Sequence, residues 1–474
     1  MLFDLQDKAV TEKILKKFDT VIIGAGAAGI TIATTLEKFG KSVALIEGGG
    51  LEYSEESQNI YKGDVKGDPY FDLDVTRLRY YGGSTNHWAG WCRPFEKIDF
   101  DRNYFEEKYE WPIKFEEIDQ YKKEACSILE IESKFEFDSS EDPNVKPIKF
   151  QFSPPVRFGE KYLRKLKSSK LISVFINSNL TKVSGSNRNI HSVNVINYKE
   201  NKLTLRAKNF VFALGGIENS RFLLWIDKNH PGIFFDEKLP IGKYWMEHPH
   251  FTLGRALIDN RKVSHNYYSL TDKAQKKLNI LNCGFRIERL EDTKGLTKAL
   301  IQDLLCIAPK LGKKFVELTG KKQYLCGAIF RAAWEQSPDK FNAVRLVNEI
   351  DRFGIPKVEL SWKKNKIDRQ TIKKSVFEFN EWLMKIDGGR IKLDEWMLME
   401  NDYPIDDELG GHHHMGGTRM HKSNTLGVVD ANCKVFGSEN LYIAGSSIFT
   451  TGGHNNPTLP IVQFSLRLAN HLKI

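Results

Sequence analysis

Three glycines near the N-terminus have the spacing that lets a backbone approach a dinucleotide. Gly24, Gly26 and Gly29 follow a β-branched run at residues 18–23. In such a fingerprint the first glycine permits a tight turn, the second leaves room for a pyrophosphate, and the third lets a helix pack on the strand. Glu47 ends the next predicted strand beyond Gly29, where a carboxylate accepts the ribose hydroxyls. The pattern predicts a dinucleotide site, and FAD and NAD use the same fingerprint.

His412, His413 and His414 are a second group of side chains that could do chemistry. A metal site is one interpretation of three adjacent histidines. Adjacent side chains diverge, however, and no Cys or carboxylate stands at ligand spacing nearby. The sequence therefore predicts no metal site.

The elements around these residues point to an α/β fold. A strand at residues 18–23 runs into the glycines, a helix with apolar residues at helical spacing ends at Gly40, and a strand at residues 41–46 ends in Glu47. Another apolar strand at residues 209–214 is closed by Gly215, and a helix follows from residue 218. Near the C-terminus, a strand at residues 440–445 precedes a terminal helix that opens at residues 456–458. These repeats predict one nucleotide-binding domain assembled from separated segments.

Composition bounds the fold and the partners. The 474 residues are 41% hydrophobic and 28% charged, which predicts two or three domains and excludes a disordered chain. The net charge of +9 comes from bases interleaved with acids, so no nucleic-acid partner is expected. The densest basic tract, residues 161–170, has the apolar spacing of an amphipathic helix with one solvated face.

Cysteine usage and hydropathy predict a cytoplasmic protein. The six cysteines form no CxxC pair, which excludes a zinc knuckle and a dithiol redox motif and fits a reducing compartment. They are Cys92, Cys126, Cys283, Cys306, Cys326 and Cys433. Residues 1–17 lack the apolar region of a signal peptide, and no stretch of about 18 apolar residues could span a membrane.

Five longer motifs make the chain resemble the glucose–methanol–choline (GMC) oxidoreductases, a family of FAD-dependent enzymes that oxidise alcohols. The motifs are VIIGAGAAG from residue 21, GGSTNHWAG from residue 82, ALGGIENSRFLL from residue 213, HHMGGTRM from residue 413 and GSSIFTTGGHNNPTL from residue 445. The resemblance runs from residue 18 to residue 474. Within the family the chain resembles the branch of gluconate, glucose and pyranose dehydrogenases or oxidases, partly through WPI at residues 111–113 ahead of a helix predicted over residues 115–131.

The resemblance implies FAD as the cofactor and an architecture of two domains. A Rossmann-like FAD-binding domain, assembled from discontinuous segments, takes residues 1–95, 150–245 and 405–474. An α+β substrate domain takes residues 96–149 and 246–404. The substrate domain is expected to cover the flavin with an antiparallel sheet.

The resemblance also implies catalytic roles. Aligned on the motif HHMGGTRM, the family's catalytic histidine falls on His413, and its partner before the terminal helix falls on Asn456. His414 is the alternative that a one-residue slip would select, and His454 could replace Asn456 if the turn were displaced. Histidine suits the general base for a hydroxyl proton because its unperturbed pKa lies near working pH. His248, in the segment that leads into the substrate domain, is interpreted as structural.

The cofactor contacts are assigned from the glycine pattern and the resemblance together. They are Gly24, Gly26, Ala27, Ala28, Gly29, Glu47, Gly82, Gly83, Ser84, Asn86, His87, Ala213, Gly215, Gly445, Ser446, Asn456, Pro457 and Thr458. The loop around His87 is similar to one whose histidine bonds covalently to the flavin in pyranose oxidases. Related dehydrogenases with a histidine there hold the flavin non-covalently, so both alternatives stay open for His87.

The predicted activity is FAD-dependent oxidation of an alcohol to a carbonyl, with hydride transfer to flavin N5. The expected substrate is a sugar, a polyol or a sugar-derived secondary alcohol. One alternative is a non-sugar or amino-sugar alcohol, and another is a non-redox flavoprotein of the same fold, a lyase or a scaffold. The expected electron acceptor is oxygen, a quinone or a redox protein.

Overall fold

The fold is given by a computed structural model that describes residues 1–7, 17–137, 142–259, 262–289, 328–399, 403–404 and 409–474, together with Lys314 and Leu318. The described residues contain 19 strands, numbered in chain order. They are β1 Leu2–Asp4, β2 Lys17–Ile23, β3 Val43–Ile46, β4 Asp64–Gly67, β5 Trp91–Cys92, β6 Val145–Pro147, β7 Gln151–Phe152, β8 Ile172–Ile176, β9 Asn179–Ser186, β10 Asn189–Ile196, β11 Lys202–Phe212, β12 His250–Ile258, β13 Tyr267–Leu270, β14 Cys283–Arg289, β15 Ala328–Trp334, β16 Ala343–Ile350, β17 Pro356–Trp362, β18 Gly389–Leu393 and β19 Leu441–Ile443.

Eleven α-helices lie in the same described ranges. They are α1 Ala27–Lys38, α2 Glu55–Gln58, α3 Lys97–Phe100, α4 Glu116–Asp119, α5 Lys122–Ile128, α6 Phe158–Ser168, α7 Glu218–Asn229, α8 Asp272–Leu278, α9 Lys366–Lys385, α10 Glu395–Leu398 and α11 Thr458–Leu472. Short 3₁₀ turns are formed by Asn59–Tyr61, Gly83–Asn86, Glu107–Tyr109 and Ser446–Ile448.

The first sheet joins strands from both ends of the chain. Its order is β1-β8-β3-β2-β11-β10-β9, and β19 pairs with the end of β11. The pairs from β1 to β11 and the pair of β11 with β19 are parallel, whereas β9 and β10 form an antiparallel extension. All four residues of β3 are buried, as expected for a parallel strand with both faces covered.

The carboxyl ends of β2, β3, β11 and β19 meet at one edge of this sheet. The residues that follow these ends are Gly24, Glu47, Gly215 and Gly445. Asn219, in the first turn of α7, ties two of the ends together, since its Oδ1 accepts from the Leu214 N–H at 3.0 Å and its Nδ2 donates to the Ala444 carbonyl at 2.9 Å. In open α/β sheets this edge is where ligands bind.

The second sheet has the order β18-β12-β15-β14-β13-β6 and is antiparallel throughout. Helix α9 covers one face, where the ring of Phe379 lies 4.9 Å from that of Phe285 and 5.4 Å from that of Phe330. Side chains alternate along a strand, so Gly284 and Arg286 lie on the other face of β14. That face is turned toward the cavity described below.

A third sheet, β16-β17-β4, joins segments from the two predicted domains. Strand β4 belongs to the predicted FAD segment and pairs in parallel with β17 of the predicted substrate segment. Trp111 and Ile113, predicted for the substrate domain, pack in the same apolar core as the first sheet. These contacts cross the predicted domain boundaries, which stay a prediction. Residues 405–408, at one of those boundaries, lie outside the described residues.

Most predicted elements around the glycines are confirmed. The strand at residues 18–23 is β2, the helix that stops before Gly40 is α1, and the strand at residues 41–46 is β3. The single helix predicted over residues 115–131 is wrong, because the chain forms α4 and α5 with a tighter turn between them. The Tyr121 N–H bonds to the Ile118 carbonyl at 3.0 Å, three residues back, where an α-helix would reach four.

The described cysteines are free and buried, as the sequence predicts, and they are Cys92, Cys126, Cys283 and Cys433. Cys306 and Cys326 lie outside the described residues. Within the described part of the chain, no helix has the length and apolar character needed to cross a membrane.

Candidate active site

A cavity of about 820 Å³ lies between the carboxyl edge of the first sheet and the open face of the second. Gly24 and Gly26 line it on the side of the first sheet, and Gly284 and Arg286 line it on the side of the second. Its volume is in the range typical of small-molecule sites, about 300–1,000 Å³.

The glycine turn after β2 leaves space where a dinucleotide phosphate would lie. A Cβ added at Gly26 would meet no atom within 4 Å, whereas one at Gly24 would lie 2.3 Å from the Ala213 carbonyl oxygen and one at Gly29 would lie 1.9 Å from the Gly24 carbonyl oxygen. Gly26 is the N-cap of α1 and makes no side-chain cap hydrogen bond. The first N–H groups and the positive dipole end of α1 therefore remain available to a pyrophosphate.

Two backbone amides hold the Glu47 carboxylate, the predicted ribose contact, at the cavity wall. Its Oε2 accepts from the Ala25 N–H at 3.1 Å and its Oε1 accepts from the Gly49 N–H at 3.0 Å. The carboxylate is buried and lines the cavity. Because each carboxylate oxygen has more than one acceptor position, it retains capacity for a hydroxyl donor.

Two further glycines extend the cradle along the cavity. Gly215 has φ +92° and Gly445 has φ +103°, and an added Cβ would meet nothing within 4 Å at either position. Helix α11 also begins at the cavity, with Pro457 as N-cap and no side-chain cap hydrogen bond. Open glycine backbone at three strand ends and two uncapped helix N-termini fit an extended anionic dinucleotide such as FAD.

All but three of the predicted cofactor contacts line the cavity. Gly29 packs α1 on β2, Gly82 approaches the Gly159 amide, and the Asn86 Nδ2 donates to the Tyr81 carbonyl at 2.9 Å. His87 lines the cavity with an exposed side chain, and partial desolvation followed by the charge of Arg157 lowers the pKa of its imidazole.

The structure brings His413 and Asn456 together. Asn456 Nδ2 lies 3.1 Å from His413 Nε2, and both residues line the cavity. Asn456 immediately precedes the cap of α11. His413 is positioned by a short backbone pairing, in which Met246 and Met415 exchange hydrogen bonds of 2.8 and 3.0 Å.

His248 lies on the paired segment and continues the chain of imidazoles. Its Nδ1 is 2.8 Å from His413 Nδ1, and its Nε2 is 3.2 Å from the Gly452 carbonyl oxygen. Because a carbonyl only accepts, we assign the proton of neutral His248 to Nε2, and its Nδ1 then accepts from His413 Nδ1. His413 therefore keeps a lone pair on Nε2, which accepts from the amide of Asn456.

The Glu247 carboxylate fixes the backbone of both histidines. It accepts from the His248 N–H at 2.8 Å and from the His413 N–H at 2.8 and 2.9 Å. It also accepts from the Tyr70 hydroxyl at 2.6 Å. By bonding the backbone N–H groups of both residues, the Glu247 carboxylate holds the His248 and His413 segments side by side.

His414 points to a different partner. Its Nε2 lies 3.1 Å from the Tyr70 hydroxyl, and its carbonyl accepts from the Ser446 hydroxyl at 2.6 Å. His414 lines the cavity, but the imidazole beside Asn456 is that of His413.

His454, the other alternative, lies deeper beside the second sheet. It is buried, it lines the cavity, and neither ring nitrogen has a hydrogen-bond partner among the described residues. A Cβ added at Gly284 would lie 2.7 Å from His454 Cδ2. The imidazole of His454 thus contacts the sheet, and Asn456 is the side chain that reaches His413.

Burial keeps the imidazoles of the cavity neutral. It lowers the pKa of His248 to about 4, and burial and then Arg331 lower that of His250 to about 4. Burial also lowers the pKa of His454 to about 3. The pKa of His413 lies well below its ordinary value, because of burial first and His248 second. A neutral His413 is the form that accepts a proton.

Several residues of the site escaped sequence analysis. Glu247, His248 and His250 stand together in the segment MEHPH, where His248 was interpreted as structural. Arg286 lies on β14 at a position whose alternation with the buried Phe285 would have placed it on the open face. The segment MEHPH and the alternation around Arg286 are both visible in the sequence. The role of the segment could not be inferred from it, however, because its partner His413 lies far away along the chain.

In the ranges that the structure describes, no three His, Cys, Asp or Glu side chains are grouped so that they could hold a metal ion. His412 packs edge-on against Phe71, with ring centroids 4.9 Å apart.

Comparisons with known proteins agree with this site. The family model described as GMC oxidoreductase, for the C-terminal part of the family, matches residues 338–465, and the model described as FAD binding domain matches residues 19–55. A curated relative, the 2-methyl-1,2-propanediol dehydrogenase of Mycolicibacterium austroafricanum, is 23% identical over 542 residues, covering 96% of this chain and 95% of its own length.

Solved structures share the fold at low sequence identity. A pyridoxine 4-oxidase from Mesorbium loti superposes with a TM-score of 0.59 at 15% identity, covering 96% of this chain and 99% of its own. An FAD-dependent oxidoreductase from Chaetomium thermophilum has a TM-score of 0.55 at 15% identity, covering 96% and 98%. A formate oxidase has a TM-score of 0.54 at 16% identity, covering 97% and 98%.

The two family matches fall on the glycine turn and on the segment that carries His413 and Asn456. The curated relative and the shared fold extend the likeness over nearly the whole chain. The chain is an FAD-dependent oxidoreductase that is similar to the glucose–methanol–choline family, whose C-terminal model it matches over residues 338–465.

Proposed function

We propose that the protein oxidises an alcohol to a carbonyl, with His413 as the general base and Asn456 as the group that orients the alcohol oxygen. The observation that supports this proposal is the pair of His413 Nε2 and Asn456 Nδ2, 3.1 Å apart on the cavity wall. A hydroxyl placed between them would donate its proton to Nε2 and accept from the amide.

The reaction removes a proton and a hydride from one carbinol. The hydroxyl proton goes to His413 Nε2 while the C–H bond breaks, and a C=O double bond forms. When bound, FAD supplies the acceptor for the hydride and its two electrons. Asn456 donates to the oxygen throughout and, as an amide, does not compete for the proton.

The substrate we propose is a sugar, a polyol or a sugar-derived secondary alcohol. A small non-sugar alcohol is the second candidate, because the curated relative is named for a diol. The electron acceptor is proposed to be oxygen, a quinone or a redox protein. Oxygen consumption measured against dye reduction separates the first of these from the others.

The test is anaerobic reduction of the purified yellow enzyme by a panel of alcohols, followed by flavin absorbance. The variant His413→Ala should retain FAD and lose the rate of reduction by about 10²–10⁴-fold, the usual contribution of a general base. The variant His414→Ala is the matched comparison, since its imidazole also lines the cavity but contacts Tyr70.

Two results would contradict the proposal. If His413→Ala were reduced as fast as the parent while His414→Ala lost the rate, the base would be the neighbouring imidazole. If no alcohol bleached the flavin of the parent, alcohol oxidation itself would be excluded.

A further inference from the structure

The charged side chains that line the cavity are unevenly distributed between its two ends. Among the described residues they are Glu47, Arg77, Arg79, Glu218 and Arg286. Four of them are held at the nucleotide end by protein partners. Arg77 pairs with Glu218 at 2.9 Å, Arg79 Nη2 donates to Asn179 Oδ1 at 2.7 Å, and Glu47 binds backbone amides.

Arg286 stands on the other side of the cavity, on the second sheet. It lies two residues beyond Gly284 on β14, and side chains on one face of a strand are about 7 Å apart along it. The Gly284 position contacts His454, which is two residues before Asn456. Arg286 also lowers the pKa of His250, whose ring lines the same wall.

An aromatic wall orients the guanidinium. Trp91, Phe150 and Tyr267 pack edge to face, with ring centroids 5.4, 5.6 and 5.1 Å apart, and all three line the cavity. Arg286 Cζ lies 5.2 Å from the centroid of the Trp91 ring. A guanidinium held over an aromatic ring is attracted by the ring as a cation, so its N–H groups can still bond a ligand.

The local charge is not fully neutralised. Arg286 Nη2 lies 3.7 Å from Glu288 Oε2, and Arg331 binds the same carboxylate through Nη1. Two guanidinium groups thus share one carboxylate, which leaves one positive charge. The acids that line the cavity, Glu47 and Glu218, are held at the nucleotide end, as described above.

We propose that Arg286 binds an anionic group of the substrate, so that the alcohol oxidised in this cavity carries a carboxylate or a phosphate. This inference rests on the proposed alcohol oxidation and specifies its substrate class. The planar fork of arginine matches either anion with two parallel hydrogen bonds. The aromatic wall then packs against the carbon frame between that anion and the carbinol held by His413 and Asn456.

The experiment is anaerobic flavin reduction of the holoenzyme with matched series of alcohols. Each series has a neutral, a carboxylate and a phosphate member: glycerol, glycerate and glycerol 3-phosphate, then D-glucitol, D-gluconate and D-glucitol 6-phosphate. We expect half-saturation at lower concentration for an anionic member than for its neutral partner. The better of the two anionic classes identifies which group the substrate carries.

Variants assign the effect to the guanidinium. Arg286→Gln should raise the half-saturating concentration of the anionic alcohol by about 10- to 100-fold, the effect of losing a charge-assisted hydrogen bond, with the limiting rate nearly unchanged. Arg286→Lys keeps the positive charge but loses the planar guanidinium. Its half-saturating concentration for the anionic alcohol should therefore lie between those of the parent and Arg286→Gln. Arg255→Gln removes one exposed charge from β12 of the same sheet and should behave as the parent.

The outcomes separate the inference from the proposed function. If neutral alcohols reduce the flavin at least as well as their anionic partners, and Arg286→Gln leaves both unchanged, Arg286 is not an anion site and alcohol oxidation stands. If no member of either charge reduces the flavin, the proposed function fails and the inference fails with it.

Discussion

At the scale of single residues, the contact of its Nδ1 determines the tautomer of His413, the proposed base. The Gly452 carbonyl orients His248, and His248 orients His413, so the lone pair of Nε2 faces Asn456 before any substrate arrives. An imidazole free to choose its tautomer would offer that lone pair only part of the time. We therefore assign His248 a positioning role.

Replacing His248 tests this role. His248→Leu leaves the buried Nδ1–H of His413 without an acceptor, at a cost of about 1–3 kcal/mol, so flavin reduction should slow by roughly 5- to 150-fold. His248→Asn offers an amide oxygen near the former Nδ1 position and should recover much of that rate. The measurement is the limiting rate of anaerobic reduction as a function of pH.

The pH dependence distinguishes positioning from simple damage. As a neutral acceptor for the His413 Nδ1–H, His248 stabilises the protonated form of the proposed base. In His248→Leu the rate should therefore begin to fall at a lower pH than in the parent, whereas His248→Asn, which still offers an acceptor oxygen, should keep the parent profile. Equal profiles for both variants, differing only in height, would show that His248 merely fills space.

At the residue scale, the groups that belong to local motifs could be predicted from the sequence. The glycine spacing and Glu47 could be predicted because a strand, a turn and a helix that follow one another directly fix them. His413 and Asn456 followed from the resemblance. Glu247, His248 and Arg286 could not be ranked, because their partners arrive through backbone pairings and sheet faces that only the folded chain defines.

At the scale of elements, α1 and α11 both begin at the cavity without a side-chain cap. Helix N-termini usually satisfy their free N–H groups with a capping side chain. Helices α6 and α7 also begin without such a bond, so the missing cap alone does not indicate a ligand. At α1 the distinguishing feature is the open space beside Gly26, where an added Cβ would meet no atom within 4 Å.

A methyl group at Gly26 should therefore interfere with the cofactor and not with the fold. Gly26→Ala should lower FAD content and weaken FAD rebinding, measured by the ratio of flavin to protein absorbance and by titration of the apoprotein. Gly50→Ala is the matched control, because an added Cβ there meets its nearest atom, Asn177 Oδ1, only at 3.5 Å, and Gly50 is not part of the cavity lining. Equal loss of FAD in both variants would contradict a phosphate site at Gly26.

Elements were predictable where one segment carries its own pattern. The βαβ unit of β2, α1 and β3 follows from apolar runs punctuated by glycine. The strand predicted at residues 209–214 extends back to Lys202 in β11, because its first half pairs with the antiparallel β10. Residues 202–207 alternate polar and apolar side chains, as a half-buried strand does, so the sequence carried a signal for this extension that the prediction missed.

At the scale of the molecule, the two sheets enclose a group of neutral imidazoles, of which His248 and His454 are buried and His250 is half-buried. Their pKa values are lowered to about 4 for His248 and His250 and about 3 for His454. The unfolded chain binds protons to these histidines below about pH 6.5, whereas the folded chain does not. Their contribution to stability is therefore present above that pH and is lost as the pH falls toward the lowered values.

Acidification should therefore destabilise the protein through these side chains. At pH 5 each such histidine reduces the free energy of unfolding by roughly 2 kcal/mol relative to pH 7.5. In His454→Asn the thermal midpoint should fall less between pH 7.5 and 5 than it does in the parent. The exposed His191→Asn should follow the parent curve. Parallel curves for the parent and His454→Asn would show that His454 titrates normally in the folded protein.

The whole architecture was predictable mainly through the family resemblance. FAD binding, the split nucleotide domain and a sheet-containing substrate domain were expected, and the fold and the comparisons confirm an FAD-binding unit with a sheet beside its cavity. The boundaries could not be derived, because β4 pairs with β17 from a distant part of the chain. The sequence of residues 64–67 does not indicate that this strand pairs with β17.

The hydrogen bond from His248 to the Gly452 carbonyl also bears on where the proton goes after the alcohol has been oxidised. An amide carbonyl oxygen is not a base at ordinary pH, so among the described residues the hydrogen-bonded chain that starts at His413 ends at the bond from His248 to Gly452. We therefore expect a proton captured by His413 to leave from Nε2, the nitrogen beside Asn456, where the carbonyl product is formed. Deprotonation of the proposed base should then follow release of the ketone or aldehyde.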